Sequence, residues 1–132
     1  MKKELIEEAT KAREKAYAPY SNFKVGSAVL TKSGKVFTGA NIENASYGAS
    51  VCAERVALFK AISEGETEIV EIAVVTCAEE PTMPCGICRQ VLKEFSENLK
   101  IYAANLEGKV IETTIDRLLP MAFTREDLEN KK

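Results

Sequence analysis

The sequence predicts an α/β fold, and three observations carry that expectation. An apolar stripe at helical spacing opens the chain. A helix–strand–helix run occupies its middle, and short β-rich segments with Gly-containing turns flank that run. With 132 residues, one domain spanning 1–132 is expected, and no repeat, low-complexity stretch or boundary interrupts it. A chain of this length buries roughly two thirds of its unfolded surface and needs no disulfide staples.

The elements follow in order. Leu5, Ala9, Ala12 and Ala16 recur at spacings of four, three and four, which predicts an amphipathic packing helix over about residues 2–17. Pro19 ends it, because proline lacks the N–H for the helical ladder and biases Ala18 away from helical angles. Tyr20 to Phe23 reads as a loop. Lys24 to Thr31 and Val36 to Ala40 read as strands joined by Lys32-Ser33-Gly34-Lys35, a β-hairpin. Asn41 to Ser50 is a polar loop of small residues, long enough for a binding role. Ser50 is expected to cap a helix over 51–64 that Gly65 ends. That helix is apolar almost all round (Val51, Val56, Ala57, Leu58, Phe59, Ala61, Ile62), which predicts burial. Ile69 to Cys77 carries Ile72-Ala73-Val74-Val75, the signature of a central strand, with Cys77 a buried, inert thiol at its end. Pro84 suits the first turn of a helix running to about Phe95. Lys100 to Ala104 and Lys109 to Thr113 read as strands, and Ile115 to Leu119 as a short helix before Pro120. Residues 124–132 are charged and are expected to be frayed or packed on a partner.

Composition narrows the function classes. The net charge of −2, without basic, aromatic-studded extensions, gives no footprint for nucleic acid or an anionic membrane. No apolar run approaches the ~20 residues of a membrane span. A small neutral or weakly charged partner fits better. The start Met1-Lys2-Lys3-Glu4 leads into an amphipathic segment rather than a signal core, so a cytoplasmic, reducing setting is expected. There a C-x-x-C pair is more often metal-binding or redox-active than a structural disulfide. The same setting makes the sequon Asn44-Ala45-Ser46 irrelevant. No His is present, so Ser-His-Asp and Cys-His nucleophiles are excluded, and proton transfer falls to a carboxylate, Lys, Tyr or Cys.

Two stretches carry the chemistry: Cys52-Ala53-Glu54 and Pro84-Cys85-Gly86-Ile87-Cys88. Three thiolates can hold a divalent metal and leave a fourth tetrahedral position for water, as in catalytic zinc sites. Glu54, two residues after one ligand, can handle that water's protons. Cys85 and Cys88, at i and i+3, can face one ion from a single helical turn. The strand between the two helices brings their N-termini to one sheet edge, where open α/β sheets place ligands and where helix dipoles favour thiolate. Three thiolates on a divalent ion leave net negative charge. Arg55, at i+3 from Cys52, is the candidate to offset it, with Arg89 second. A structural module with Cys77 closing a four-cysteine site, and a C-x-x-C redox protein, remain as alternatives at this point.

These residues resemble the cytidine deaminase family, in its small tetrameric branch with three cysteine ligands. Pro19-Tyr20-Ser21-Asn22-Phe23-Lys24-Val25-Gly26, the block Gly39 to Gly48, and Leu119-Pro120-Met121-Ala122-Phe123 reinforce the resemblance in order and spacing over most of the chain. It implies a three-layer α-β-α sandwich with a mixed five-stranded sheet, one Zn²⁺ per subunit on Cys52, Cys85 and Cys88, and a homotetramer with shared active sites. It implies hydrolytic deamination of cytidine and deoxycytidine in pyrimidine salvage, with Glu54 moving the protons. By the same resemblance Phe23 stacks on the pyrimidine, and Asn41 and Glu43 bond the ribose hydroxyls. Backbone groups near Ala53 and Cys85 hold the base, and Tyr47 and Phe123 reach a neighbouring subunit's site. Deamination of another cytosine nucleoside, such as an aminoacylnucleoside antibiotic, is the related alternative; the ribose-directed Asn41 and Glu43 favour the plain nucleoside.

Overall fold

Alternation along the central strands feeds two cores, one on each face of a single sheet. The structure, a computed structural model, describes residues 1–129. Its helices are α1 (Lys2–Arg13), α2 (Ala53–Ser63), α3 (Gly86–Glu94), α4 (Ile115–Leu118) and α5 (Arg125–Glu129). Its strands are β1 (Gly26–Thr31), β2 (Val36–Ala40), β3 (Ile69–Thr76), β4 (Lys100–Asn105) and β5 (Val110–Thr114). The sheet order is β2-β1-β3-β4-β5; β3 and β4 are parallel and the other neighbours antiparallel. Parallel neighbours need a crossover, and α3 supplies it.

Ala28, Ala73 and Tyr102 stand level across β1, β3 and β4 and pack with Leu5 and Ala9 of α1. Their sequence neighbours Val29, Ile72 and Ile101 face the other way and meet Leu58 of α2, Leu92 of α3 and Ile115 of α4. This is the expected three-layer α-β-α sandwich with a mixed five-stranded sheet, produced by side chains alternating at period two. Two glycines let helices lie close on it. A Cβ at Gly26 would stand 2.0 Å from the Ala9 carbonyl oxygen, and one at Gly39 would stand 2.5 Å from the Ala57 nitrogen. Gly39 thereby admits the first turns of α2, which carry the candidate site.

Several boundaries differ from expectation for local reasons. Helix α1 stops at Arg13 rather than residue 17, because the Tyr17 N–H bonds the Asn41 carbonyl and the Tyr17 carbonyl accepts from Glu43 N–H. Strand pairing has won there over helical continuation. Cys52, not Ser50, caps α2, since Ile42 and Val51 exchange both backbone hydrogen bonds and hold Val51 extended. The Ser50 hydroxyl accepts from the Asn44 N–H instead. Pro84 precedes the cap of α3 rather than sitting in its first turn. Helix α2 is buried on one side only, with Phe59 exposed on the other. Within the charged tail, 125–129 form α5; residues 130–132, also expected to be frayed or packed on a partner, lie outside the described residues.

Tyr102, 4% exposed, donates its hydroxyl to Glu71 Oε1 at 2.8 Å. Burial, followed by the hydrogen bond to Glu71 and its charge, pushes its phenol well above the usual tyrosine range. The fold thus favours the neutral phenol. This contribution is whole below the unfolded value near 10 and is lost as pH rises from there through the raised folded value. Tyr102→Phe is expected to cost about 1 kcal/mol at neutral pH. In urea titrations its deficit against the unsubstituted protein should shrink above pH ~10; a deficit independent of pH would contradict this.

Candidate active site

Helices α2 and α3 share an unusual start. Each is capped by a cysteine in extended backbone, Cys52 and Cys85, and neither thiol makes a capping hydrogen bond to a backbone N–H of its helix. A cap side chain not spent on its own first turn is free to point elsewhere. Both point at Cys88, the third residue of α3. Cys52 Sγ and Cys85 Sγ lie 3.8 Å apart, and all three sulfurs lie within 4.8 Å of one another. Tetrahedral zinc with bonds near 2.3 Å spaces its sulfur ligands by roughly 3.8 Å, so the donor set fits that ion in number, chemistry and spacing. All four cysteines are free thiols.

The electrostatics mark these sulfurs as ligands in waiting. The Cys88 hydrogen bond, helped by Arg55 and Cys85 and opposed by burial, pulls the Cys52 thiol down to about 5. Cys88 moves the opposite way, because it keeps the proton it offers to Cys52, lies buried and faces Glu54. Arg55 Nη2 approaches Cys52 Sγ at 3.7 Å, and Arg55 Nε is buried without a hydrogen-bond partner. The side chain expected to offset the thiolates therefore touches them. Glu54, in the first turn of α2, is 5% exposed. Burial, with the Cys52 charge adding, pushes its carboxyl up to about 7, where both protonation states are populated at neutral pH.

The Ile42–Val51 pairing ties the segment carrying Asn41 and Glu43 to the residue before Cys52. Asn41 is buried: its Oδ1 accepts from Val25 N–H and its Nδ2 donates to the Phe23 carbonyl, both at 2.9 Å. Glu43 accepts from the backbone N–H groups of Tyr20 and Ser21 and from the Ser21 hydroxyl. That hydroxyl, with the two N–H groups and against slight burial, lowers its carboxyl below the usual range. Both side chains thus hold the loop that bears half-buried Phe23, a job their residue types did not announce. One Asn41 N–H and the spare carboxylate lone pairs stay available for a ligand. Ala53 is buried at the start of α2. Tyr47 (76% exposed) packs edge-on against Tyr20, and Phe123 (58% exposed) lies on the segment between α4 and α5.

Two expectations are corrected. Arg89 does not join Arg55 at the thiols; its guanidinium donates to the Pro84 and Leu118 carbonyls. Cys77 is exposed, because β3 ends at Thr76, whose hydroxyl accepts from the Ala78 N–H and turns the chain outward. Cys77 is absent from the thiol cluster, which removes the ligand the four-cysteine alternative needs.

Residues 1–104 match the family model described as the cytidine and deoxycytidylate deaminase zinc-binding region. The chain is 56% identical over 127 residues to a cytidine deaminase of Halalkalibacterium halodurans, covering 96% of each. It is 50% identical to a cytidine deaminase of Sporosarcina psychrophila over 94% of this chain and 92% of that one. The crystal structure of a cytidine deaminase from Burkholderia pseudomallei superposes with a TM-score of 0.90 at 52% identity, covering 93% of this chain and 99% of that one.

Proposed function

The chain belongs to the cytidine and deoxycytidylate deaminase family, and from that premise we propose that it deaminates cytidine and deoxycytidine hydrolytically to uridine and deoxyuridine, releasing ammonia. The observation that carries the reading is the convergence of three thiols from two helix starts beside one buried carboxyl held near neutrality. The direct test follows the loss of cytidine ultraviolet absorbance, with zinc measured on the same sample. Stoichiometric zinc without turnover on either nucleoside would overturn the proposal.

Cys52, Cys85 and Cys88 would hold the ion, which when bound supplies Lewis acidity that makes a water at its open position easier to deprotonate. The remaining work belongs to the chain. Glu54 accepts the water's first proton and passes it to N3 of the base as the C4–O bond forms; it then takes the second proton from the hydroxyl now on C4 and gives it to the amine as the C4–N bond breaks. Its burial keeps bulk water from competing for those protons. The backbone groups at Ala53 and Cys85 orient the base and Phe23 stacks on it. The spare hydrogen-bonding capacity of Asn41 and Glu43 addresses the ribose. Tyr47 and Phe123, both strongly exposed on one subunit, complete a neighbour's site in a homotetramer. The setting is cytoplasmic pyrimidine salvage. Among the described residues, no helix is long and apolar enough to cross a membrane.

Arg55 keeps three clustered thiolates workable. Arg55→Ala is expected to weaken zinc retention about tenfold, the scale of one hydrogen bond to a charged group. Arg55→Lys should recover part of this. Competition against a chromogenic chelator checks it, and equal retention by all three proteins would remove Arg55 from the role.

A further inference from the structure

Arg89 and Gln90 are neighbours on α3, and both reach the same stretch of chain. Arg89 Nη1 donates to the Leu118 carbonyl at 3.0 Å, and Gln90 Nε2 donates to the Phe123 carbonyl at 2.9 Å. Leu118 ends the four-residue α4, so its carbonyl is one of the acceptors a helix C-terminus leaves unsatisfied. Between the two anchors Met121 adopts φ +53, a left-handed conformation that a non-glycine residue holds only when its surroundings impose it. With Met121 fully exposed, its own packing imposes nothing, and the anchors on either side are what define the arm.

The other end of the Arg89 fork reaches the cysteines. Its Nε donates to the Pro84 carbonyl at 2.7 Å. The peptide between Pro84 and Cys85 is trans and planar, so fixing that carbonyl also fixes the Cys85 N–H, which points the opposite way. One planar cation thus spans the peptide that leads into a sulfur ligand and the root of the arm that carries Phe123. A lysine ammonium can satisfy such acceptors one at a time, but it has no rigid fork to set their spacing.

We propose that Arg89 and Gln90 are positioning residues that hold the arm 119–123 and the Pro84–Cys85 peptide in one register, setting the grip on the nucleoside rather than the chemistry. This rests on the reading above, in which Phe123 and the Cys85 backbone contact substrate. Zinc-loaded Arg89→Lys and Gln90→Ala are expected to keep full zinc and a kcat within about threefold, while KM for cytidine rises about tenfold. The double variant should lose less than the product of the two, since both act on one arm. Hydrogen exchange read by mass spectrometry should quicken at 119–123 in each variant. Unchanged exchange there, or a KM at the unsubstituted value with only a lowered melting temperature, would overturn the proposal. If the unsubstituted protein failed to deaminate cytidine, the functional reading would fall, while the exchange result would still decide whether the arm is held as described.

Discussion

Glu54→Gln is expected to lower kcat by roughly 10⁴-fold, the upper end for one general acid–base group, while zinc content stays stoichiometric. The upper end applies because the same carboxyl serves several proton transfers in one turnover: from water, to N3, and to the amine. A glutamine of equal shape can donate a hydrogen bond but can neither take nor return a proton. The loss corresponds to about 5.5 kcal/mol of transition-state stabilisation at 25 °C. Metal content should not move, because Glu54 is outside the group of side chains whose ligand atoms converge. Stability should not fall either. Burial is the first cause of the raised carboxyl, and a neutral amide avoids the cost of ionising there. A low-activity variant with full zinc and an undiminished melting temperature would isolate the proton relay. Normal turnover by Glu54→Gln would sink it.

What made this site legible is spacing. Cys85 and Cys88 stand one helical turn apart, and Cys52 begins the preceding helix. The intervening strand leaves little choice about where the two helix starts meet. Arg55 was legible for the same reason, since i+3 from a cap residue returns to the cap's side of the helix. Less legible was everything decided by competition between neighbours. Ser50 is a good cap by type and lost to Cys52 because a bridge from Ile42 holds Val51 extended. Cys77 ends an apolar run, yet the strand stops one residue before it, so the thiol faces solvent. Arg89 carries the same charge as Arg55, and charge alone does not say that its acceptors are two carbonyls rather than thiolates. As residue types Asn41 and Glu43 suit a turn, and only the family resemblance directs them to the ribose. Their first occupation in the fold is to hold the backbone from Tyr20 to Val25, through partners more than fifteen positions away in sequence.

Removing zinc should act on stability as well as activity, and that pairing separates a catalytic centre from a redox pair. An ion present at a thousand times its dissociation constant stabilises the fold by about 4 kcal/mol. For a domain of this size that is a melting temperature higher by roughly 10 °C or more. A strong chelator should therefore lower the melting temperature by that amount and abolish turnover, and added Zn²⁺ should restore both. Cys88→Ala is the sharper version. Cys88 is fully buried and is the sulfur toward which both caps turn, so its loss leaves two thiols that cannot close around an ion. That variant should melt near the chelated protein and gain nothing from added zinc. Cys77→Ala should match the unsubstituted protein in both readouts, since Cys77 is exposed and outside the cluster. Thiol counting gives an independent check: one rapidly reacting thiol in the loaded protein, and four once it is chelated and unfolded. A melting temperature indifferent to chelation, with Cys85 and Cys88 cycling to a disulfide, would favour the redox reading. A loaded protein with no reactive thiol would return Cys77 to the ligand set.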